Sequence, residues 1–239
     1  MSVTFTIREL RREDVPQAAA LHERVLHMEF LARCGGPFLR RYYRAWATSP
    51  GGIAVVAVAD DGDVVGALLG SHDPPGHVRA MLRGGAAGLL VRMVAHAVRH
   101  PRFGADLVAT RFRRYVGGLW RMLTAAARRR ATAGSPGDPP AEAGGAPRVG
   151  EITHLLVDPR CQGAGVGRSL VMQAMAEARR NGATELVLVT PPDLAARQFY
   201  ERLGWEEDGE VTSRSGEAFV RYRLPLGTPA GPVDQRMDG

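Results

Sequence analysis

Apolar and polar stretches alternate along this chain in a way that predicts a series of strands and helices. Two apolar runs, Ala54–Ala59 and Val64–Leu69, are separated by the polar turn Asp60-Asp-Gly-Asp63, which is typical of a β-hairpin. A third run, Glu151–Val157, predicts a strand that leads through a glycine-dense loop into an amphipathic helix near Val166–Arg180. Strands and helices in this arrangement indicate an α/β protein.

The residues after this helix predict one more strand and one more helix. Thr184–Thr190 has the apolar character of a buried strand and ends at Pro191-Pro192. Asp193 can then cap a helix that stops at Gly204. The apolar positions of that helix are Ala195, Ala196, Phe199, Tyr200 and Leu203.

The loop before the Val166–Arg180 helix is suited to bind an anion. Gly163, Gly165 and Gly167 carry no side chains that would keep a ligand away from the backbone. Unpaired N–H groups at the start of the helix point into the same loop, where the helix dipole favours an anion by about 0.3–2 kcal/mol. Arg168 adds a positive charge. The sequence therefore predicts a phosphate or pyrophosphate site.

Two widespread phosphate loops do not fit these residues. A P-loop ends in Gly-Lys-Ser/Thr, and the chain contains no lysine. A dinucleotide-binding loop needs glycine at its first, third and sixth positions, and the sixth position counted from Gly163 is Arg168. The pattern that remains is Gln162-x-x-Gly165-x-Gly167, after a strand that ends in Leu-Leu-Val-Asp-Pro.

This pattern resembles the acyl-CoA-binding motif Q/R-x-x-G-x-G/A of the Gcn5-related N-acetyltransferases, the GNAT family. The stretch AARQFYERLGW, residues 195–205, resembles the family's second signature, A-x-x-x-Y-x-x-x-G-F/W, and residues 6–15 resemble its opening strand and acidic-capped helix. The resemblance implies the GNAT fold, a twisted, mixed, mostly antiparallel sheet with helices on both faces, here with a helical insertion between the third and fourth strands. It also implies acetyl-CoA as the donor and an amine as the acceptor.

The resemblance assigns roles to the residues of the donor site. In the family the loop and the helix N-terminus hold the pyrophosphate of coenzyme A, and here the loop consists of Gln162, Gly163, Ala164, Gly165, Val166, Gly167 and Arg168. The N–H of Leu155 would stabilise the oxyanion of the tetrahedral intermediate, and the strand Leu155, Leu156 and Val157 would contact the pantetheine arm. Asp193 stands where the family commonly has asparagine, as a further donor contact or only as a helix cap.

Two proton-transfer roles follow from the chemistry of a thioester and an amine. An alkylamine with a pKa near 10.4 must lose a proton to react at pH 7, which costs about 4.6 kcal/mol. Glu151 resembles the catalytic glutamate of histone-type members and is the candidate base, with a surface acid as the alternative. Strict alternation along a strand predicts that His154 faces away from Glu151. Tyr200 matches the tyrosine of the second signature and is the candidate general acid, with packing beside Phe199 as the alternative.

Positive charge is concentrated in the predicted insertion. Residues 77–130 hold 12 arginines and one acid, Asp106, whereas the whole chain has a net charge of +6. Apolar positions at helical spacing predict two or three amphipathic helices, broken near Pro101, and residues 135–147 predict a flexible linker. These positions are Leu89, Met93 and Ala97, and then Leu107, Phe112, Val116, Leu119 and Leu123. Three interpretations stay open. The helices pack on the sheet with their arginines in solvent, cover the acceptor site, or contact an anionic membrane; nucleic acid is disfavoured because no recognised motif is present.

The domain prediction is a single GNAT domain over residues 1–226, with the insertion and its linker at 72–148 and a flexible tail at 227–239. Two distant cysteines, Cys34 and Cys161, and the lack of a secretory or membrane-spanning apolar run predict a reduced, cytoplasmic protein. No metal site is predicted, since His96 and His100 lack an obvious third ligand.

The expected reaction is direct transfer of acetyl from acetyl-CoA to a primary amine of a small molecule or of a peptide or protein. Two alternatives remain. One is a non-catalytic acyl-CoA-binding sensor or interaction module, and the other is a transferase docked to a membrane or polyanion through the basic insertion. The sequence does not identify the amine or the acyl chain length, and it leaves open whether the chain forms a homodimer.

Overall fold

A computed structural model describes residues 4–27, 30–84, 86–106, 147–212 and 216–227. The chain forms two compact units, residues 1–89 together with 147–239, and residues 90–146. The first unit contains the sheet and every residue to which the sequence assigns a role in the donor site or in catalysis.

The first unit is built on a seven-stranded sheet with the order β1-β2-β3-β4-β5-β7-β6. The strands are β1 (Phe5–Glu9), β2 (Gly52–Ala59), β3 (Val64–Ser71), β4 (Val149–Val157), β5 (Glu185–Thr190), β6 (Glu206–Thr212) and β7 (Ala218–Pro225). Every neighbouring pair is antiparallel except β4 and β5, which are parallel. The predicted mixed and mostly antiparallel sheet is confirmed.

Helices occupy the connections between the strands. Between β1 and β2 lie α1 (Val15–Val25), α2 (Phe30–Arg33) and α3 (Gly36–Ala47). After β3 come α4 (Pro74–Gly84), α5 (Ala86–Arg99) and α6 (Pro101–Asp106). A short 3₁₀ helix (Pro159–Cys161) and α7 (Val166–Arg180) follow β4, and α8 (Leu194–Glu201) follows β5. The predicted bounds of α7 agree with the structure.

Helices cover both faces of the sheet. Alternate residues of β2 and β3 point to opposite sides and so contribute to two cores. Val55 and Leu68 belong to the core on the α7 side, whereas Val56 and Leu69 belong to the core under α1 and α3. Gly66 of β3 allows α7 to approach closely, since a Cβ there would lie 2.8 Å from Val166 Cγ1.

The start of α1 differs from the predicted acidic cap. Asp14 stands at the N-cap position, but its side chain makes no capping hydrogen bond. Its carboxylate instead accepts hydrogen bonds from the Arg8 guanidinium at 2.5 and 2.7 Å and from the Arg11 N–H at 2.7 Å. The Arg8 guanidinium is the strongest available donor and bonds both carboxylate oxygens of Asp14. This ion pair links β1 to the start of α1.

The part of the predicted insertion that the structure describes contains the three helices α4, α5 and α6. The apolar positions predicted beyond residue 106, the linker at 135–147 except its last residue, and residues 228–239 of the tail lie outside the described residues. Within the described part, no single helix is long and apolar enough to span a membrane. The helices Pro74–Gly84 and Gly88–Arg99 reach the length and apolar composition of a membrane span only when they are counted together.

Candidate active site

The strands β4 and β5 separate halfway along the sheet. They pair from Val149 with Glu185 to Ile152 with Leu188, and β4 then continues to Val157 paired only with β3. Beyond Ile152 the sheet therefore opens into a wedge between β4 and β5.

The hydrogen-bond pattern on β3 shows which groups of β4 face this wedge. The N–H of Asp158 donates to the carbonyl of Val65 at 2.8 Å, so Asp158 points its backbone groups toward β3. Adjacent residues of a strand point these groups to opposite edges. The N–H groups of Leu155 and Val157 consequently face the β5 side, where the strands have separated. These are the two backbone donors that the sequence assigned to the oxyanion and the pantetheine arm.

The glycine loop leads from the end of β4 into α7. Gly163 and Gly165 have φ values of +78° and +85°, a conformation that strongly favours glycine. Gly165 is the N-cap of α7 and no side chain caps the helix. The first backbone bond is that of the Ser169 N–H to the Gly165 carbonyl, at 3.0 Å. The N–H groups in the first turn of α7 are therefore directed at the loop, as an anion site requires.

Val157, Gly167 and Phe199 bring β4, α7 and α8 together at the mouth of the wedge. A Cβ on Gly167 would lie 3.5 Å from both Val157 Cγ2 and Phe199 Cζ. The absence of a side chain at Gly167 keeps the backbone of the first helical turn close to β4. The pantetheine strand and the phosphate loop of the predicted donor site are thus neighbours.

Asp158 fixes the start of the loop, a role that sequence reasoning missed. Its carboxylate is almost fully buried and accepts from Arg24 of α1 at 2.8 Å and from the Arg160 guanidinium at 3.0 Å. It also accepts from the backbone N–H of Arg160 and so caps the 3₁₀ helix. The Arg160 hydrogen bond, and with it Arg24, holds the pKa of Asp158 well below its usual range. The signal in the sequence was the Asp-Pro pair with arginine two residues on.

The prediction that His154 faces away from Glu151 is wrong. Between Leu69 and Gly70 the β3–β4 register slips by one residue of β4, because Leu69 pairs with His154 and Gly70 pairs with Ile152. This β-bulge at Thr153 restarts the alternation. Ile152 joins the core on the α7 side, so Glu151 points to the α1–α3 side, and His154 lies there too.

His154 packs in a polar and aromatic cluster under α1 and α3. Its ring lies 5.1 Å from that of His22 and 5.9 Å from that of Tyr42, and His22 Nδ1 is 3.1 Å from the Tyr43 hydroxyl. Burial lowers the pKa of His22 to about 4. Burial, assisted by His22, lowers that of His154 to about 3. Both rings are therefore neutral at neutral pH.

Glu151 and Tyr200 have environments that shift both groups toward the protonated form. Burial raises the pKa of Glu151, which is half-buried. Burial, and less strongly Asp193, raises the pKa of Tyr200 to about 12. Tyr200 lies among the rings of Phe199, Trp205 and Tyr222, with centroid distances of 5.0, 5.9 and 5.8 Å. It belongs to the same core as Ile152 and Val166.

Asp193 caps α8, since its carboxylate accepts from the Ala196 N–H at 2.9 Å. One of the two functions considered for this residue is therefore observed, and a contact with the donor stays a prediction. Cys34 and Cys161 are buried and not joined to each other. Among the described residues, no group of three or more His, Cys, Asp or Glu side chains is placed to hold a metal ion.

Comparison with known proteins agrees with this geometry. The family model described as the acetyltransferase (GNAT) family matches residues 18–205. The mycothiol acetyltransferase of Salinispora arenicola (strain CNS-205) is 41% identical over 63 residues, which are 26% of this chain and 20% of that protein. Serotonin N-acetyltransferase 2, chloroplastic, of Oryza sativa subsp. japonica is 31% identical over 75 residues, 31% of this chain and 36% of that protein. These matches span about a fifth to a third of the length of the relatives.

The fold is also similar to solved structures. The ribosomal-protein-S18-alanine N-acetyltransferase from Escherichia coli superimposes with a TM-score of 0.53 at 14% identity, over 96% of this chain and 98% of that one. The family match covers most of the chain, and the opened sheet and glycine loop lie within it. The chain therefore belongs to the GNAT acetyltransferase family.

Proposed function

We propose that this protein transfers the acetyl group of acetyl-CoA directly to a primary amine, without a covalent enzyme intermediate. The observation that supports this most is the wedge between β4 and β5, with the N–H groups of Leu155 and Val157 facing it. The uncapped start of α7 lies at its mouth. A pantetheine arm that adds to the free edge of β4 would place its thioester near Leu155 and its pyrophosphate on the loop at Gly163–Arg168.

Glu151 accepts the proton of the amine in this proposal. The pKa of Glu151 is raised by burial, which makes the carboxylate a stronger base than an exposed glutamate. The bulge at Thr153 turns Glu151 to the α1–α3 side of the sheet, the side on which His154 and His22 lie, and a water among these polar groups would relay the proton. Proton transfer through such a water does not require Glu151 to touch the amine.

The N–H of Leu155 stabilises the tetrahedral oxyanion, and Tyr200 assists the departure of coenzyme A. A thiol has a pKa of about 8.5, so proton transfer from a group at about 12 would be uphill by about 5 kcal/mol. Tyr200 therefore acts as a hydrogen-bond donor to the thiolate rather than by giving up its proton. The proton that reaches the thiolate comes from solvent or from the amine.

The acceptor is proposed only as a class, a primary amine of a small molecule or of a peptide or protein. The two relatives are named for mycothiol and serotonin, but the matched residues cover at most 36% of either protein. The acetyl donor is better supported than the acceptor, because the donor-site residues fall within the family match at 18–205.

Release of coenzyme A thiol from acetyl-CoA, measured over a panel of amines, tests the proposed reaction. Wild type should acetylate at least one amine at the nitrogen, as mass spectrometry of the product would show. Glu151→Gln should lower kcat about 100-fold or more, and Tyr200→Phe about tenfold or more, with acetyl-CoA binding unchanged in both. Glu185→Gln, one strand away, is the matched control. Tight acetyl-CoA binding without transfer to any amine would instead favour the sensor.

A second candidate function, contact with an anionic membrane, is favoured by the surface of α5. Four apolar side chains that are between 49% and 77% exposed share one face of this helix: Leu90, Val91, Val94 and Val98. Arg92 and Arg99 lie outside this face. A helix with an exposed apolar face and basic neighbours suits an anionic bilayer surface. Co-sedimentation with vesicles that contain phosphatidylserine should fail for Val91→Asp/Val98→Asp. Binding that survives these changes would reject the interpretation.

A further inference from the structure

A cavity of about 520 Å³ lies in the first unit, between α3 and α4. It is lined on one side by Arg41, Arg44 and Thr48 of α3 and its C-cap and on the other by α4, and Arg12 and Leu89 contribute to its rim. No local pattern in the chain indicates it, because α4 follows α3 only after two intervening strands. Its volume is that of a pocket for a small molecule.

Every charged residue in the described lining of this cavity is an arginine. Three arginines line it, Arg12, Arg41 and Arg44, together with the hydroxyl residues Thr48 and Ser49, and none of the described lining residues is acidic. Arg41 and Arg44 are three residues apart and therefore share a face of α3. Guanidinium groups bind phosphate and carboxylate through paired, charge-assisted hydrogen bonds. An anion in the cavity would be attracted by all three arginines.

The packing of Arg41 shows that it is built into the cavity wall. A Cβ on Gly88, at the start of α5, would lie 2.5 Å from an Arg41 guanidinium nitrogen and 2.6 Å from its central carbon. Any side chain at Gly88 would displace this guanidinium. Arg41 is half-buried, in contrast to an arginine whose head group lies in solvent.

A chain of contacts links the cavity to the catalytic strand. Ser49 lines the cavity, and its hydroxyl is 2.7 Å from His77 Nδ1. The His77 ring lies 3.8 Å from that of Trp46, and Tyr42 contacts both Trp46 and His154 of β4. The cavity is thus connected through residues of α3 to the face of β4 on which His154 lies.

We propose that this arginine cavity binds the phosphate or carboxylate group of a small molecule. The same chemistry has two sources. The anion is either the acidic end of the amine acceptor, which rests on the proposed function, or a separate molecule that modulates the enzyme. Both interpretations require Arg41 and Arg44 as ligands, so binding to the cavity can be tested independently of turnover.

Calorimetric titration with inorganic pyrophosphate tests the proposal directly. It is done at low ionic strength with saturating coenzyme A, which occupies the phosphate loop at α7 and leaves the cavity as the site under test. Wild type should bind pyrophosphate saturably, and Arg41→Gln/Arg44→Gln should weaken binding about tenfold or more. Arg40→Gln, on the same helix but outside the cavity lining, should bind like wild type.

Two results would overturn the proposal. One is the absence of saturable pyrophosphate binding by the folded wild type, and the other is equal affinity in wild type and the double variant. Arg41→Lys/Arg44→Lys guards against misfolding as the cause of a loss, because it keeps the charge and should retain part of the affinity.

Thiol release with phosphoethanolamine and with ethanolamine separates the two sources. If the anion belongs to the acceptor, Arg41→Gln/Arg44→Gln raises the KM for phosphoethanolamine alone. If the anion is a modulator, added pyrophosphate changes the rate with ethanolamine in wild type and not in the double variant. Failure of the proposed reaction would appear separately, as no thiol release with any amine while pyrophosphate still binds.

Discussion

Acid should destabilise this protein through two histidines that are buried side by side. His22 and His154 lie with ring centroids 5.1 Å apart, and their pKa values are lowered to about 4 and about 3. In the unfolded chain both would titrate near 6.5. Below that pH the unfolded state binds protons that the folded state does not bind. The free energy of unfolding that depends on neutral histidines is therefore fully present at neutral pH and is lost as the pH falls toward 4.

The size of the effect follows from these values. One proton bound only by the unfolded state lowers the free energy of unfolding by about 1.4 kcal/mol for each pH unit. Between pH 6.5 and pH 5, each histidine therefore lowers the free energy of unfolding by about 2 kcal/mol. The pair therefore removes about 4 kcal/mol. His77, whose pKa burial also lowers, acts in the same direction. Glu151 and Glu177, whose pKa values burial raises, act in the opposite direction.

Urea denaturation at pH 7 and at pH 5 isolates one histidine from these other groups. His154→Leu changes the packing equally at both pH values, so the informative quantity is the difference between them. The variant should lose about 2 kcal/mol less than wild type over this interval. His27→Leu, at an exposed position just after α1, is the control and should lose as much as wild type. An identical loss in His154→Leu and wild type would show that the pKa of His154 is not lowered in the folded protein.

Three further predictions concern the donor site and its support. Asp158→Asn should weaken acetyl-CoA binding about tenfold, since the buried carboxylate that ties Arg24 and Arg160 to the loop is lost; calorimetry measures it. Gly66→Ala should lower the free energy of unfolding by about 1–3 kcal/mol in urea titrations, because the new Cβ would meet α7. The rate should fall on acidification through a pKa above the usual value for glutamate, and Glu151→Gln should abolish that limb of the kcat/KM profile.

The donor side of the site was predictable from local sequence. Gly163 and Gly165 adopt positive φ, and α7 begins at Val166, because both features depend on residues within a few positions of each other. The Asp60–Asp63 hairpin turn was found for the same reason. The helix α8 ends at Glu201, three residues before the predicted stop at Gly204, although Gly204 does have a φ of +82°. The arrangement of these strands and helices around one sheet was predicted from the resemblance to the family.

The acceptor side depends on contacts between distant parts of the chain. The bulge at Thr153 is set by the register against β3, and a strict two-residue period along β4 therefore placed His154 on the wrong face. In the sequence alone Arg41 and Arg44 are ordinary helix charges, and only the packing of α4 encloses them in a cavity. The partners of Asp158 include Arg24, 134 residues away. No pattern within β4 or α3 contains this information.

Calorimetric titration of acetyl-CoA, with wild type beside Gly165→Glu, tests whether the glycine loop before α7 binds the acetyl donor. Gly165 has open space around it and a φ of +85°, so glutamate there places strain and negative charge where the pyrophosphate should lie. Gly209→Glu is the matched control, because Gly209 also has positive φ and open space but lies in the edge strand β6. Wild type and Gly209→Glu should bind acetyl-CoA with micromolar affinity, and Gly165→Glu should lose this binding. Absence of binding by folded wild type, or equal binding by all three proteins, would rule out a donor site at this loop.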